Sequence, residues 1–429
     1  MSQHSAPDDP AATPVPAAPQ PRPATAWARL PLRWRALVLL SLARLAMGFQ
    51  FQAIGATGHT IRSEFGVDLT WIGWLVGLYL LPGIALALPS GLLGARFGAK
   101  PVAVAGLALM ALGGLVCALA DDTATLSVAR LVCGVGGVLF SVIATKMIAD
   151  WFAGHELVLA MSILVNTWPI GIALALLVLG DVAAAHGTGA AFGITAAAAA
   201  ASLALLGLAY RSPRTSGGER GGGLSALQRR EWRLLLLAGG AWMAFNVVYA
   251  VLMSFLPLVM IAQGGDAILA NRLTALMTLL IIGSVPAGGW LAQRTGRPVL
   301  VAIVALLLTA ALLVAMHVEG PGVPLLVATG LVIGLPVGTL VAAPAHFLRP
   351  ETRAVGMGVF HSVFYLGMGV LPAVIAAAAQ WLGSVSHVLT IGAALVVLTA
   401  GLSAMAGWRD APGARAHDLP HASQQWRRR

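Results

Sequence analysis

The chain has 429 residues, of which 58% are hydrophobic and only 10% charged, with a formal net charge of +10. A soluble domain carries about a quarter of its residues as charges, so this chain cannot cover a water-facing surface of its own size, and lipid must be the solvent for most of it. The positive balance is no sign of nucleic acid, because the basic residues sit in the connections between apolar stretches.

Residues 1–35 are rich in Pro and Ala and lack a basic stretch feeding a short apolar core with a small-residue cleavage site. They are expected to form a disordered cytoplasmic tail rather than a cleaved signal peptide. About 20 apolar residues cross a bilayer core, and twelve candidate stretches follow at 36–58, 71–94, 101–120, 124–149, 157–180, 189–210, 233–261, 272–292, 298–317, 323–347, 355–379 and 385–407. Cys117 and Cys133 fall inside the third and fourth and read as free thiols packed as small hydrophobes. The connection at 211–232 is the long polar one, and its Ser-Gly-Gly and Gly-Gly-Gly runs make it a flexible linker. It divides a six-helix half at 36–210 from a second at 233–407, and 408–429 reads as another cytoplasmic tail, ending Arg427-Arg428-Arg429.

The arginines set the orientation. With both termini in the cytoplasm, the cytoplasmic side holds Arg33, Arg35, Arg96, Lys100, Arg211, Arg229, Arg230, Arg294, Arg297, Arg349 and Arg353, and the opposite side only Arg62 and Arg272. That asymmetry follows the positive-inside rule and predicts a multi-pass protein of the cytoplasmic membrane.

The connection after the second stretch runs Gly91-Leu92-Leu93-Gly94-Ala95-Arg96-Phe97-Gly98-Ala99-Lys100, and that after the eighth runs Gly289-Trp290-Leu291-Ala292-Gln293-Arg294-Thr295-Gly296-Arg297-Pro298. Gly, Leu, Arg and Gly recur at the same offsets and at equivalent places in the two halves, as expected of two six-helix repeats related by an axis along the membrane normal. The pattern resembles the signature loop of the major facilitator superfamily, over about 36–407. The resemblance implies an all-α membrane fold of twelve transmembrane helices in two pseudo-symmetric halves, and alternating access around a midplane site. It also implies a gating role for Gly91, Arg96, Gly98, Gly289, Arg294 and Gly296. The family's acidic position is Ala95 in one copy and Gln293 in the other, so the latch that this acid helps form must here be built otherwise. Asp150-Trp151-Phe152 with Glu156 resembles a stretch found in branches that carry anions, such as the cyanate-permease-like and oxalate–formate-like groups.

All sixteen acidic residues fall in tails, connections or helix ends. A proton-driven carrier usually keeps a carboxylate within its bundle, so coupling through one is disfavoured. Basic residues do enter the membrane. Arg44 lies about 12 Å into the first stretch, and Arg130 lies in the fourth, on one helical face with Gly134, Gly137 and Ser141. A charge at such depth needs a partner, either backbone and water or an anionic ligand. Further candidates for cargo contact are Gln52, Asn166, Trp168, Trp242, Asn246, Tyr249, His361 and Tyr365, which fall on helices that line the cavity in the family. Pro169 can kink the fifth helix.

Together these predict a carrier of a small anionic solute, with an exporter of hydrophobic drugs and a receptor built on a transporter fold as alternatives. No phosphate-binding Gly-rich loop, metal-ligand cluster or nucleophile triad is present in the sequence, so neither an enzyme nor a bound cofactor is expected. The expected partners are the solute and the lipid bilayer, with the chain acting as a monomer.

Overall fold

A computed structural model of the protein describes residues 30–152, 156–213 and 224–406. Among them the fold is all-helical. Numbered by membrane crossing, α1 is Leu32–Phe65, α2 is split into α2a (Leu69–Leu78) and α2b (Gly83–Phe97), α3 is Ala99–Ala118 and α4 is Thr123–Trp151. The 53-residue stretch Leu157–Ala209 holds two crossings, α5 (157–186) and α6 (188–209), parted at Gly187 (φ 82°, ψ 168°). The second half follows with α7 (Arg229–Ala262), α8 (Ala267–Thr295) and α9 (Pro298–Glu319). Then come α10a (Val323–Ile333), α10b (Val337–Phe347), α11 (Pro350–Trp381) and α12 (His387–Met405).

The twelve predicted crossings are therefore present, with two local differences. Crossings 2 and 10 are interrupted at 79–82 and 334–336, where a proline lacks the N–H that would continue the ladder. The expected break between α5 and α6 shrinks to Gly187, whose positive φ only glycine adopts without strain. Around Pro169, where a kink can form, the dihedrals stay helical, and this part of α5 is pressed onto α1 where Gly48 faces the Trp168 carbonyl and Gly171 the Leu45 carbonyl. The tails, 1–29 and 407–429, and the linker core, 214–223, lie outside the described residues.

Large apolar side chains are exposed on α3 (Leu112, Leu115), α6 (Leu205, Leu208), α9 (Leu307, Leu308) and α12 (Val397, Leu398). These third and sixth helices of each half face the acyl chains, which cover apolar surface that water would reject. Helices α1 and α7 are buried along most of their length. Cys117 and Cys133 are buried free thiols, as expected.

The contacts between the halves gather at the end away from the arginines. There α2a lies so close to α11 that a Cβ at Gly77 would strike the Gly369 carbonyl, and one at Gly73 the backbone of Pro372 and Ala373. Gln52 donates to the Met253 carbonyl (2.7 Å), and Asn271 to the Ala56 carbonyl (2.9 Å). Thr70 donates to Gln380 (3.2 Å), and Arg272 pairs with Asp181 at 3.0 Å.

Candidate functional site

Between the sealed end and the arginine-rich end, Arg44 on α1 brings the candidate residues of the two halves together. Helix α1 begins at Leu32, earlier than predicted, so Arg44 lies twelve residues in, about 18 Å along the axis. Its Nη1 donates to Ser141 Oγ on α4 at 2.9 Å, and its Nε is buried without a hydrogen-bond partner. Among the described residues no carboxylate forms an ion pair with it. From the other half, Tyr365 and His361 on α11 lie close enough to interact with it electrostatically. A guanidinium carries five donors and no acceptor. One neutral hydroxyl leaves most of them available to an anion.

The second half supplies the other wall. His361 lies 2.8 Å from the Met357 carbonyl through Nδ1. A carbonyl only accepts, so Nδ1 carries the hydrogen and Nε2 is left for other partners. Trp242 on α7 stacks with Phe245 (6.1 Å) and Phe360 (6.3 Å) and is tilted against Phe364 (6.4 Å), which in turn packs edge-on to Tyr365 (4.9 Å). Asn246 donates to the Trp242 carbonyl at 2.7 Å, which leaves its own amide oxygen. The Tyr249 hydroxyl is buried with no partner. Trp168 on α5 lies over Phe51, centroids 5.2 Å apart, and Asn166 is half-buried two residues nearer the start of α5. The candidate site thus has a cationic side from α1 and an aromatic, hydrogen-bonding side from α7 and α11.

Two predicted contacts do not belong to it. Arg130 is 0% exposed. It donates to the Leu75, Gln50 and Phe51 carbonyls at 3.2, 2.9 and 3.0 Å and lies 4.8 Å from the Tyr79 ring centroid. The partner that its depth demands is backbone, and these bonds tie α4 to α1 and α2a. Gln52 is likewise fully buried, in the seal between α1 and α7. Residues not singled out in the sequence complete these networks. Gln50 donates to the Met110 carbonyl (2.9 Å) and accepts from Tyr79 (3.3 Å). Asn271, which lies one residue before the predicted stretch 272–292, is buried and donates to the Ala56 carbonyl.

The repeated loops form matching hairpins. Gly98 (φ 90°) separates α2b from α3, and Gly296 (φ 64°) ends α8 before α9. Arg96 lies over Phe97 and Arg294 over Trp290, at 5.3 and 5.1 Å from the ring centroids. Gly91 and Gly289 face open space. Near the same end each half ties the start of its first helix to the connection before its fifth. In the first half Arg33 pairs with Glu156 at 3.1 Å. In the second the signs are swapped, and buried Glu231 accepts from Arg349 (3.1 Å), Thr352 (2.7 Å) and the Gln228 amide (2.9 Å).

The family model described as Major Facilitator Superfamily matches residues 40–372. A methylenomycin A resistance protein of Streptomyces coelicolor is 37% identical over 106 residues, 24% of this chain and 22% of that protein. A choline/ethanolamine transporter of Homo sapiens is 30% identical over 149 residues, 34% and 28% of the two chains. A 3-(3-hydroxy-phenyl)propionate transporter of Escherichia coli is 38% identical over 101 residues, 23% and 24%. The matched stretches thus span less than a third of each relative's own length. The E. coli xylose transporter in an inward open conformation superposes with a TM-score of 0.73 over 90% of this chain and 98% of that one, at 15% identity.

Proposed function

Because this chain belongs to the major facilitator superfamily, whose model matches residues 40–372, we propose that it carries a small anionic solute across the cytoplasmic membrane by alternating access. Transport of a small molecule through a lipid bilayer, without enzymatic chemistry, is the activity of the family. The anionic cargo is our reading, and the observation that carries it is Arg44. This guanidinium lies between the halves with one neutral partner, a buried unpartnered Nε and no described carboxylate paired with it.

In this reading Arg44 and Ser141 receive the anion from the first half. His361, Tyr365, Asn246 and the Trp242 face receive the rest of the solute from the second. The halves, 36–210 and 233–407, rock about the site as units joined by the 211–232 linker, and the hairpins at Gly98 and Gly296 approach one another when the arginine-rich end closes. Both termini and that end lie in the cytoplasm, and the chain works as a monomer. The aromatic acid transporter among the relatives agrees with a carboxylate cargo. The resistance protein favours the second reading, export of a hydrophobic compound.

Ligand-induced thermal stabilisation of the purified protein separates the two, because a ligand that binds only the folded state raises its melting temperature. Carboxylates or inorganic anions should stabilise the wild type and lose their effect in Arg44→Ala. Stabilisation by neutral or cationic compounds alone, equal in the variant, would hand the lead to the exporter.

A further inference from the structure

Two histidines meet at the end of the second half away from the arginines. Helix α9 finishes there with His317 in its last turn, and α12 starts there with His387. They are far apart in sequence, but α9 packs on α12 and brings the two half-buried rings to a centroid separation of 5.1 Å, tilted by 49°. One short turn orients both. His317 Nδ1 lies 3.1 Å from the Ser386 carbonyl, and His387 Nδ1 lies 3.2 Å from the Ser384 carbonyl. The turn is itself held, with the Ser384 and Ser386 hydroxyls bonded at 2.8 Å and the Ser386 amide donating to Ser384 Oγ at 3.2 Å. A carbonyl only accepts, so each Nδ1 carries the hydrogen and each Nε2 is left with a lone pair. Among the described residues no donor reaches either Nε2.

Two lone pairs held side by side suit a cation. Histidines that bind metal almost always give their other ring N–H to a carbonyl, a carboxylate or water, which fixes the tautomer and the ring, and both rings here are held in that way. The spacing agrees. Two imidazoles bound through nitrogen to one tetrahedral ion, at about 2.0–2.1 Å each, have centroids roughly 5 Å apart. Among the described residues no third His, Cys, Asp or Glu joins the pair, so water completes the coordination. Imidazole without a carboxylate favours Zn²⁺, Cu²⁺ or Ni²⁺ over Mg²⁺ and Ca²⁺, which take oxygen. The carbonyl end of α9 favours positive charge beside His317, the amide end of α12 opposes it at His387, and the two roughly cancel. We propose that His317 and His387 together bind one divalent transition-metal ion of the Zn²⁺ type, which clamps the end of α9 to the start of α12.

The test is thermal stabilisation of the full chain, free of any affinity tag, by Zn²⁺ with Mg²⁺ as the control, beside peptide mass spectrometry of histidines modified by diethyl pyrocarbonate. Zn²⁺ should raise the melting temperature of the wild type where Mg²⁺ does not. Its affinity should fall by at least ~10-fold in His317→Gln and in His387→Gln, while each variant melts as the wild type does in the absence of metal. In the wild type, Zn²⁺ should also slow the modification of His317 and His387 together. No response to Zn²⁺, an equal response to Mg²⁺, or undiminished Zn²⁺ affinity in a folded variant overturns the proposal. Modification of either histidine at an unchanged rate in the presence of Zn²⁺ overturns it too, whether or not the variants fold.

Discussion

Arg44 and Arg130 are the same residue type on helices that touch, yet their surroundings give them opposite tasks. Arg130 spends its donors on three backbone carbonyls, and Arg44 on one serine. Removing a buried partner leaves the other groups unsatisfied, at about 1–3 kcal/mol each. Arg130→Met should therefore lower stability by about 2–5 kcal/mol, read as a lower melting temperature in detergent whether or not cargo is present. Arg44→Lys should leave the melting temperature of the empty protein nearly unchanged. It should weaken cargo binding by roughly 10- to 100-fold, the worth of a charge-assisted hydrogen bond, measured as a shift in the half-saturating concentration of uptake into proteoliposomes. Both arginines were legible in the sequence as charges too deep to be left alone. What partners each one has was not, because the acceptors that occupy Arg130 are backbone groups, and every residue type carries one.

At the level of helices, the proline breaks in crossings 2 and 10 and the glycines of α2a decide where backbones can meet. Gly77 lets α2a lie directly on α11 at the sealed end. Gly77→Leu should wedge that end apart, and cysteines placed near Thr70 or Gln380 should then react faster with a membrane-impermeant thiol reagent; an unchanged rate would mean that the glycine has no part in the seal. The paired corners of the two halves invite a direct comparison. Arg33–Glu156 is a half-exposed surface pair, worth about 0–1 kcal/mol. Glu231 is buried and accepts from three neighbours, so Glu231→Gln should cost about 1–3 kcal/mol, several times the cost of Glu156→Gln by thermal unfolding. Asp122 caps α4, and the Thr125 hydroxyl and amide hold its carboxyl below the usual range. A depressed pKa means that this contribution is present at neutral pH and is lost as pH falls through the lowered value. The helices themselves were legible as apolar stretches of bilayer length. The continuity of α5 into α6 was not, because a single glycine with positive φ turns the chain without the polar loop by which a connection is recognised.

Over the whole molecule, the two halves repeat in fold and in the Gly–Leu–Arg–Gly hairpins, while the chemistry that joins them is concentrated at one end. That end is held partly by side chains that reach across to backbone oxygens, Gln52 to Met253 and Asn271 to Ala56. The donors must be amides of the right length, but the partner position is chemically unconstrained, since any residue offers a carbonyl. The two sides of each bond should therefore differ in how freely they drift. Under selection for transport, positions 52 and 271 should tolerate almost no replacement, whereas position 56 should accept any side chain that fits the space, and position 253 any that also suits the Thr278 hydroxyl bonded to the Met253 sulfur. A molecule that fastens itself in this way asks for coordinated change only at its side-chain pairs, Thr70 with Gln380 and Arg272 with Asp181, and elsewhere along the seal its halves can diverge without changing in step.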